Sequence, residues 1–170
     1  MRRLQIQERH DMNYSVYLAG EIHTTWRTEL AQQVSTAQLP VSFFGPVTDH
    51  EASDNTGAEI LGAEPDSFWH DRKGAGLNAL RTRTMLAQAD LVIVRFGEQY
   101  RQWNAAFDAG MAVALQKPLL VIHPPDLQHA LKEIDAAACA VAETIGQVVD
   151  ILGYISRQED WSTPEDEATI

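Results

Sequence analysis

Cysteine, positive charge and long apolar runs are all scarce in this sequence. A single cysteine, Cys139, excludes an intrachain disulfide framework and a zinc site built on cysteine pairs. It lies in the apolar run Ala136–Ala142, where a small core residue is expected. The 13 lysines and arginines face 24 acidic residues, giving a formal net charge of −11. That excludes wrapping of nucleic acid, which needs a basic stripe against the phosphates. It leaves room for a small anion held by a few local arginines. No apolar stretch approaches the ~20 residues of a membrane-spanning helix, so no membrane partner is expected. Met1–Asp11 is polar and lacks the apolar centre of a signal peptide, and a cytoplasmic protein is expected. Nucleotide-binding glycine signatures are missing too. Gly74-Ala75-Gly76 has no third glycine and no preceding strand, and there is neither a P-loop nor a serine-nucleophile elbow. No cofactor is expected.

What the sequence does contain is an alternation of apolar runs and longer amphipathic stretches. Strands are expected at Tyr14–Ala19, Val41–Phe44, Asp90–Arg95, Pro118–His123 and Ala137–Ala142. Helices are expected at Thr24–Gln38 with Thr24 or Thr25 as N-cap, at Gly74–Gln88 and at Gln99–Leu115. Two more follow, Asp126–Ile134 capped by Asp126, and Glu143–Arg157. Residues 45–72 are rich in polar residues and show no sustained periodicity; they read as one long irregular loop of functional interest. Residues 158–170 carry five acids and no base and read as a flexible tail behind a single domain at 1–157. Nearly continuous apolar strands between helices imply a parallel sheet covered on both faces. Five strands suggest an α/β, flavodoxin-like three-layer sandwich, with a ligand crevice at the carboxyl ends of its strands.

The loops at that edge hold the candidate groups. Asp108 falls in the early turns of the helix expected at Gln99–Leu115, amid small and apolar residues. It is either a helix-dipole partner or a working carboxylate. Asn104, four residues earlier, shares its helix face. Tyr17 is a core aromatic or a phenol that orients a carboxylate. Gly20 and Glu21 follow the first strand, Asp49 and His50 the second. Trp69 could stack on a flat base. Arg81 and Arg83 on the helix before the third strand, and Arg95 at that strand's end, could hold a phosphate or carboxylate, or simply pair with Asp49, Glu51 or Asp108. His50, His70 and nearby acids match no metal-ligand spacing, and no metal site is assigned.

Three segments together resemble the nucleoside deoxyribosyltransferase superfamily. They are Tyr17-Leu18-Ala19-Gly20-Glu21-Ile22, Ala89-Asp90-Leu91-Val92-Ile93-Val94, and the stretch from Ala105 through Asp108-Ala109-Gly110-Met111-Ala112 to Lys117-Pro118. Val47-Thr48-Asp49-His50-Glu51 and Phe68-Trp69-His70-Asp71 resemble its YtoQ-like branch. The resemblance implies a flavodoxin-like fold, cleavage or transfer at an N-glycosidic bond, and homo-oligomers in which a neighbouring subunit completes the site. It implies that the acid at Asp108, usually a glutamate, is the nucleophile, with Tyr17 beside it. Aspartate is one methylene shorter, which withdraws its oxygens by roughly 1.5 Å. The superfamily also carries a base-reading acid on the helix before the third strand, where this chain has Arg81, Thr82 and Arg83.

The expectation is therefore an N-ribosyl hydrolase or transferase acting on a nucleoside or nucleotide-like ligand. Asp108 and Tyr17 would be catalytic, and Gly20, Glu21, Asp49, His50, Trp69, Arg81, Arg83, Arg95 and Asn104 would bind substrate. The alternative is a non-catalytic nucleotide or sugar-phosphate binding protein.

Overall fold

The computed structural model describes residues 13–99 and 102–157. In chain order the elements are β1 (Tyr14–Gly20), α1 (Trp26–Thr36), β2 (Val41–Phe44), α2 (His50–Leu61), α3 (Ser67–Gln88) and β3 (Leu91–Arg95). They continue with α4 (Trp103–Ala114), β4 (Leu119–Ile122), a 3-10 turn (Pro125–Leu127), α5 (Gln128–Ala137), β5 (Ala140–Ala142) and α6 (Ile145–Ile155). The strands form one all-parallel sheet in the order β2-β1-β3-β4-β5, the expected flavodoxin-like arrangement. The proposed tail at 158–170 lies outside the described residues.

Alternation along the strands separates two cores. Val16, Leu18, Leu91, Ile93, Leu120 and Ile122 point to one face, where Trp26, Leu30 and Val34 of α1 meet Val148 and Leu152 of α6. Tyr17, Ala19, Val92, Val94, Leu119 and Val121 point to the other, against Leu86 of α3 and Ala105, Ala109 and Ala112 of α4. With both faces covered, the strands have no polar side to show, which is why their sequences read as apolar runs.

The structure corrects the reading of 45–72. It is not a loop but most of a helical hairpin, α2 and the start of α3. Asp49 caps α2 by accepting from Ala52 N–H at 2.8 Å, and Asp66 caps α3 by accepting from Trp69 N–H at 3.2 Å. The two helices pack chiefly on each other through Gly57 and Gly74; a Cβ on Gly57 would stand 2.3 Å from the Gly74 nitrogen. A glycine-to-glycine contact leaves no apolar stripe, so the periodicity that identifies most helices is missing here.

Smaller corrections follow from local hydrogen bonding. Asp126 sits in the 3-10 turn and does not cap α5, whose N-cap residue is Leu127. Thr144, not Glu143, starts α6, in a capping box with Gln147. Thr25 precedes α1 without a side-chain capping bond. The fifth strand shortens to Ala140–Ala142, and Cys139, expected in the core, is exposed just ahead of it. No described helix is long and apolar enough to cross a membrane.

Candidate functional site

Two cavities open at the carboxyl edge of the sheet. The larger, about 760 Å³, lies between the ends of β1 and β2 and the helices α2, α3 and α4. Asp108, Asn104, Arg81, His50 and Gly20 all line it. The hairpin misread as a loop forms one wall, and so contributes groups not singled out from sequence as ligand-binding: Ser53, Asp54, Asp71 and Asn78. Of these, Asn78 is already engaged, donating to the Ser53 carbonyl and hydroxyl at 3.1 and 3.0 Å. Their signal was hidden because a cavity wall made by a helix pair has no spacing motif.

Asp108 is the distinctive group. Because α4 begins at Trp103, Asp108 lies beyond its first turn, outside the range where a helix dipole stabilises an acid strongly. Among the described residues its carboxylate accepts no hydrogen bond and forms no ion pair. Burial raises its pKa from 3.8 to about 6. This upward shift runs against the downward one that a helix-dipole partner would show. The i, i+4 spacing of Asn104 and Asp108 brings both to one cavity, but no hydrogen bond joins them.

Tyr17 lies behind this carboxylate in β1, fully buried. Its hydroxyl has no partner in hydrogen-bond geometry, although Thr82 stands beside it. Burial first, and then the nearby charge of Asp108, push the phenol above its usual range; Thr82, Arg81 and Arg27 pull the other way. Tyr17 therefore stays protonated, an O–H donor near a carboxylate that lacks donors. Arg27, which sequence reasoning passed over, stiffens the end of β1. Its guanidinium donates to the carbonyls of Leu18, Gly20 and Glu21 at 3.3, 3.1 and 2.6 Å. Gly20 itself has φ +97°, and a Cβ there would lie 2.0 Å from the Arg95 carbonyl oxygen. At the mouth, the His50 ring stacks on His23 with centroids 5.2 Å apart.

Other expected ligand groups are placed elsewhere. Arg95 follows Leu91 and Ile93 in strand alternation, so it emerges on the α1 side, over the Trp26 ring, and lines a second cavity of about 320 Å³. Glu21 lines that cavity as well. The sheet edge thus divides Arg95 from Asp108, and no pairing between them is made. Asp49 is engaged as the α2 cap. Arg83 is exposed and lines neither cavity. Trp69, 53 % exposed, packs edge-to-face on Phe68 outside both cavities rather than folding over the crevice. Arg81 donates to the Gly45 carbonyl at 3.2 Å, which holds its side chain at the cavity wall. Among the described residues no three His, Cys, Asp or Glu side chains gather for a metal ion.

The family model described as Nucleoside 2-deoxyribosyltransferase YtoQ matches residues 17–156. The protein YtoQ of Bacillus subtilis (strain 168) is 43 % identical over 148 residues, covering 87 % of this chain and all of that one. A solved 2-deoxyribosyltransferase of Bacillus psychrosaccharolyticus superposes with a TM-score of 0.50 at 18 % identity, over 80 % of this chain and 90 % of its own. A conserved protein of Enterococcus faecalis V583 superposes with a TM-score of 0.57 at 12 % identity, over 84 % and 98 %. Likeness at such low identity concerns the fold.

Proposed function

Because the chain belongs to the nucleoside 2-deoxyribosyltransferase YtoQ family, we propose that its larger cavity binds a nucleoside or nucleotide-like N-glycoside and that Asp108 cleaves the glycosidic bond. The observation that carries this reading is a cavity-lining carboxylate left without a hydrogen-bond donor and raised to a pKa of about 6. Stripped of donors, its oxygens keep their lone pairs available for attack, and at neutral pH most of it is ionised.

In the first step an Asp108 oxygen bonds to the anomeric carbon. The carbon–nitrogen bond breaks, its electron pair leaves with the base, and solvent supplies the base's proton. The product is a glycosyl ester formed through an oxocarbenium-like transition state. Water or an acceptor base then attacks the same carbon, loses a proton to solvent and displaces the carboxylate. Once substrate is bound, the otherwise unpartnered Tyr17 hydroxyl turns to the attacking carboxylate and orients it, and Asn104 and His50 meet the sugar or base. The shorter aspartate requires the sugar to sit deeper, and Ala105 and Gly20 leave space for that approach.

Incubation with a 2-fluoro-2-deoxy-arabinosyl nucleoside, followed by peptide mass spectrometry, tests the step. A glycosyl adduct on Asp108 is expected. An adduct on another residue, or undiminished base release in Asp108→Ala, overturns it. A second reading, nucleotide or sugar-phosphate binding without turnover, draws on Arg81, which brings positive charge to the cavity wall. Saturable binding of nucleoside monophosphates with no base released would favour it.

We also propose a homo-oligomer. Phe107 lines the larger cavity yet is 65 % exposed, and Trp103, one turn away on α4, is 70 % exposed. A second copy covering both would enclose the substrate.

A further inference from the structure

The smaller cavity plays no part in glycosyl transfer as derived above. It is assembled from the ends of four strands: Glu21 after β1, Arg95 closing β3, His123 after β4 and Glu143 after β5. Strand order reverses between β1 and β3, so this is the crevice that open α/β sheets use for ligands.

Its polar groups differ in how far the protein has already engaged them. Glu21, 4 % exposed, accepts from the His23 backbone N–H and the Thr24 hydroxyl. His123, also 4 % exposed, is held between the Pro124 carbonyl, 2.8 Å from Nδ1, and the Asp135 carboxylate, 3.1 Å from Nε2. Arg95 is different. Among the described residues its half-buried guanidinium meets no carboxylate and no carbonyl, only the face of the Trp26 ring 5.9 Å away. A guanidinium carries five donors in a fork suited to a carboxylate, and leaving them without acceptors while partly desolvated is costly. The side chains of Glu98 and Glu143, which also line the cavity, are likewise without ion pairs among the described residues. Phe96 and Ile122, both buried, supply an apolar part of the lining.

We propose that this cavity binds a small zwitterion of the α-amino-acid type with an apolar side chain. The ligand carboxylate pairs with the Arg95 fork, the ammonium with Glu98 and Glu143, and the side chain packs on Phe96 and Ile122. A plain anion would satisfy Arg95 but face two unneutralised carboxylates. A plain cation would satisfy those carboxylates but meet Arg95. Only a molecule with both charges at short separation answers all three groups. The inference does not depend on the reaction assigned to Asp108, whose cavity lies on the other side of the sheet edge.

Three probes of matched shape separate these cases: L-leucine, 4-methylpentanoate, which lacks the amine, and isoamylamine, which lacks the carboxylate. The Trp26 indole N–H, which donates to the Glu21 carbonyl at 2.8 Å beneath Arg95, is the reporter in nitrogen–proton correlation spectra. L-leucine is expected to shift it saturably. Each single-charge analogue should bind about tenfold more weakly or worse, the loss expected for one charged hydrogen-bond partner. Glu143→Gln, at an exposed position, should weaken L-leucine and strengthen 4-methylpentanoate; Arg95→Leu should abolish both. Asp108→Asn should leave L-leucine binding unchanged. Absence of a saturable shift with L-leucine into the millimolar range, equal binding of 4-methylpentanoate, or undiminished L-leucine binding in Arg95→Leu overturns the proposal.

Discussion

A carboxylate that is partly buried without a donor destabilises the folded protein when it is ionised. Asp108 is in that position, and its folded pKa of about 6 stands above the ordinary 3.8. The fold therefore favours the protonated form. Relative stability is highest below the unfolded value, near pH 4, and is lost as pH rises through about 6. At pH 7.5 the cost is on the order of 2–3 kcal/mol, from 1.36 kcal/mol per pKa unit. Asp108→Asn, with no charge to desolvate, should raise the melting temperature at pH 7.5 and lose that advantage near pH 4. Calorimetry at the two pH values checks this; a melting point that falls at pH 7.5 would argue that the carboxylate is stabilised in the fold. Activity should run the opposite way with pH. The nucleophile works as the carboxylate, so kcat/KM should fall on the acid side of about pH 6, well above where an ordinary aspartate would titrate. An acid limb near pH 4 would contradict it.

Among the elements, α2 shows how a helix can be invisible to apolar periodicity. Its sequence is mostly polar, and its packing runs through Gly57 against Gly74. Gly57→Ala should therefore be destabilising by about 1–3 kcal/mol, since the new Cβ meets backbone that cannot swing away. Gly76→Ala is the contrast. It lies in the same hairpin with nothing within 4 Å of a Cβ, and should be neutral or stabilising by up to about 1 kcal/mol. Denaturant titrations of both variants, with hydrogen exchange across residues 50–61, would read the difference. Equal stabilities would show that the hairpin does not depend on this close approach. The hairpin matters for function because it walls the Asp108 cavity through His50, Ser53, Asp54 and Asn78.

For the whole molecule, the sheet works as a divider. Side chains one residue apart along β3 belong to different halves of the protein, Val94 with the core beneath α4 and Arg95 with the α1 side. The two cavities are separated by the same alternation. Along one side, α4 leaves Phe107 exposed at the rim of the larger cavity and Trp103 exposed one turn away, and an apolar patch of this kind fits a covered rather than a solvated surface. Trp103→Glu alters an exposed side chain outside both cores and should leave the fold intact while shifting the proposed oligomer toward monomer. Light scattering behind size exclusion measures this directly; a wild-type protein that elutes as a monomer at all concentrations, or a variant with unchanged mass, would rule out an interface there.

Local chemistry was sufficient for much of this. Five apolar runs separated by helical stretches specify a parallel sheet, because only strands buried on both faces dispense with polar residues. The same pattern placed Tyr17, Gly20, Asn104 and Asp108 near its carboxyl edge, and the motifs around them indicated the family. What sequence could not supply was anything set by partners distant along the chain. The α2–α3 hairpin is held by two glycines that contribute no hydrophobic signal. Whether Asp108 was a dipole partner or a desolvated carboxylate depended on where α4 begins and what covers it. Arg95 and Asp108 looked like neighbours because both follow β3, yet strand alternation and the path of α4 put them on opposite sides of the sheet. Helices and strands follow from periodic local preferences, whereas burial and the sharing of a cavity are properties of packed surfaces, and only the tertiary structure decides those.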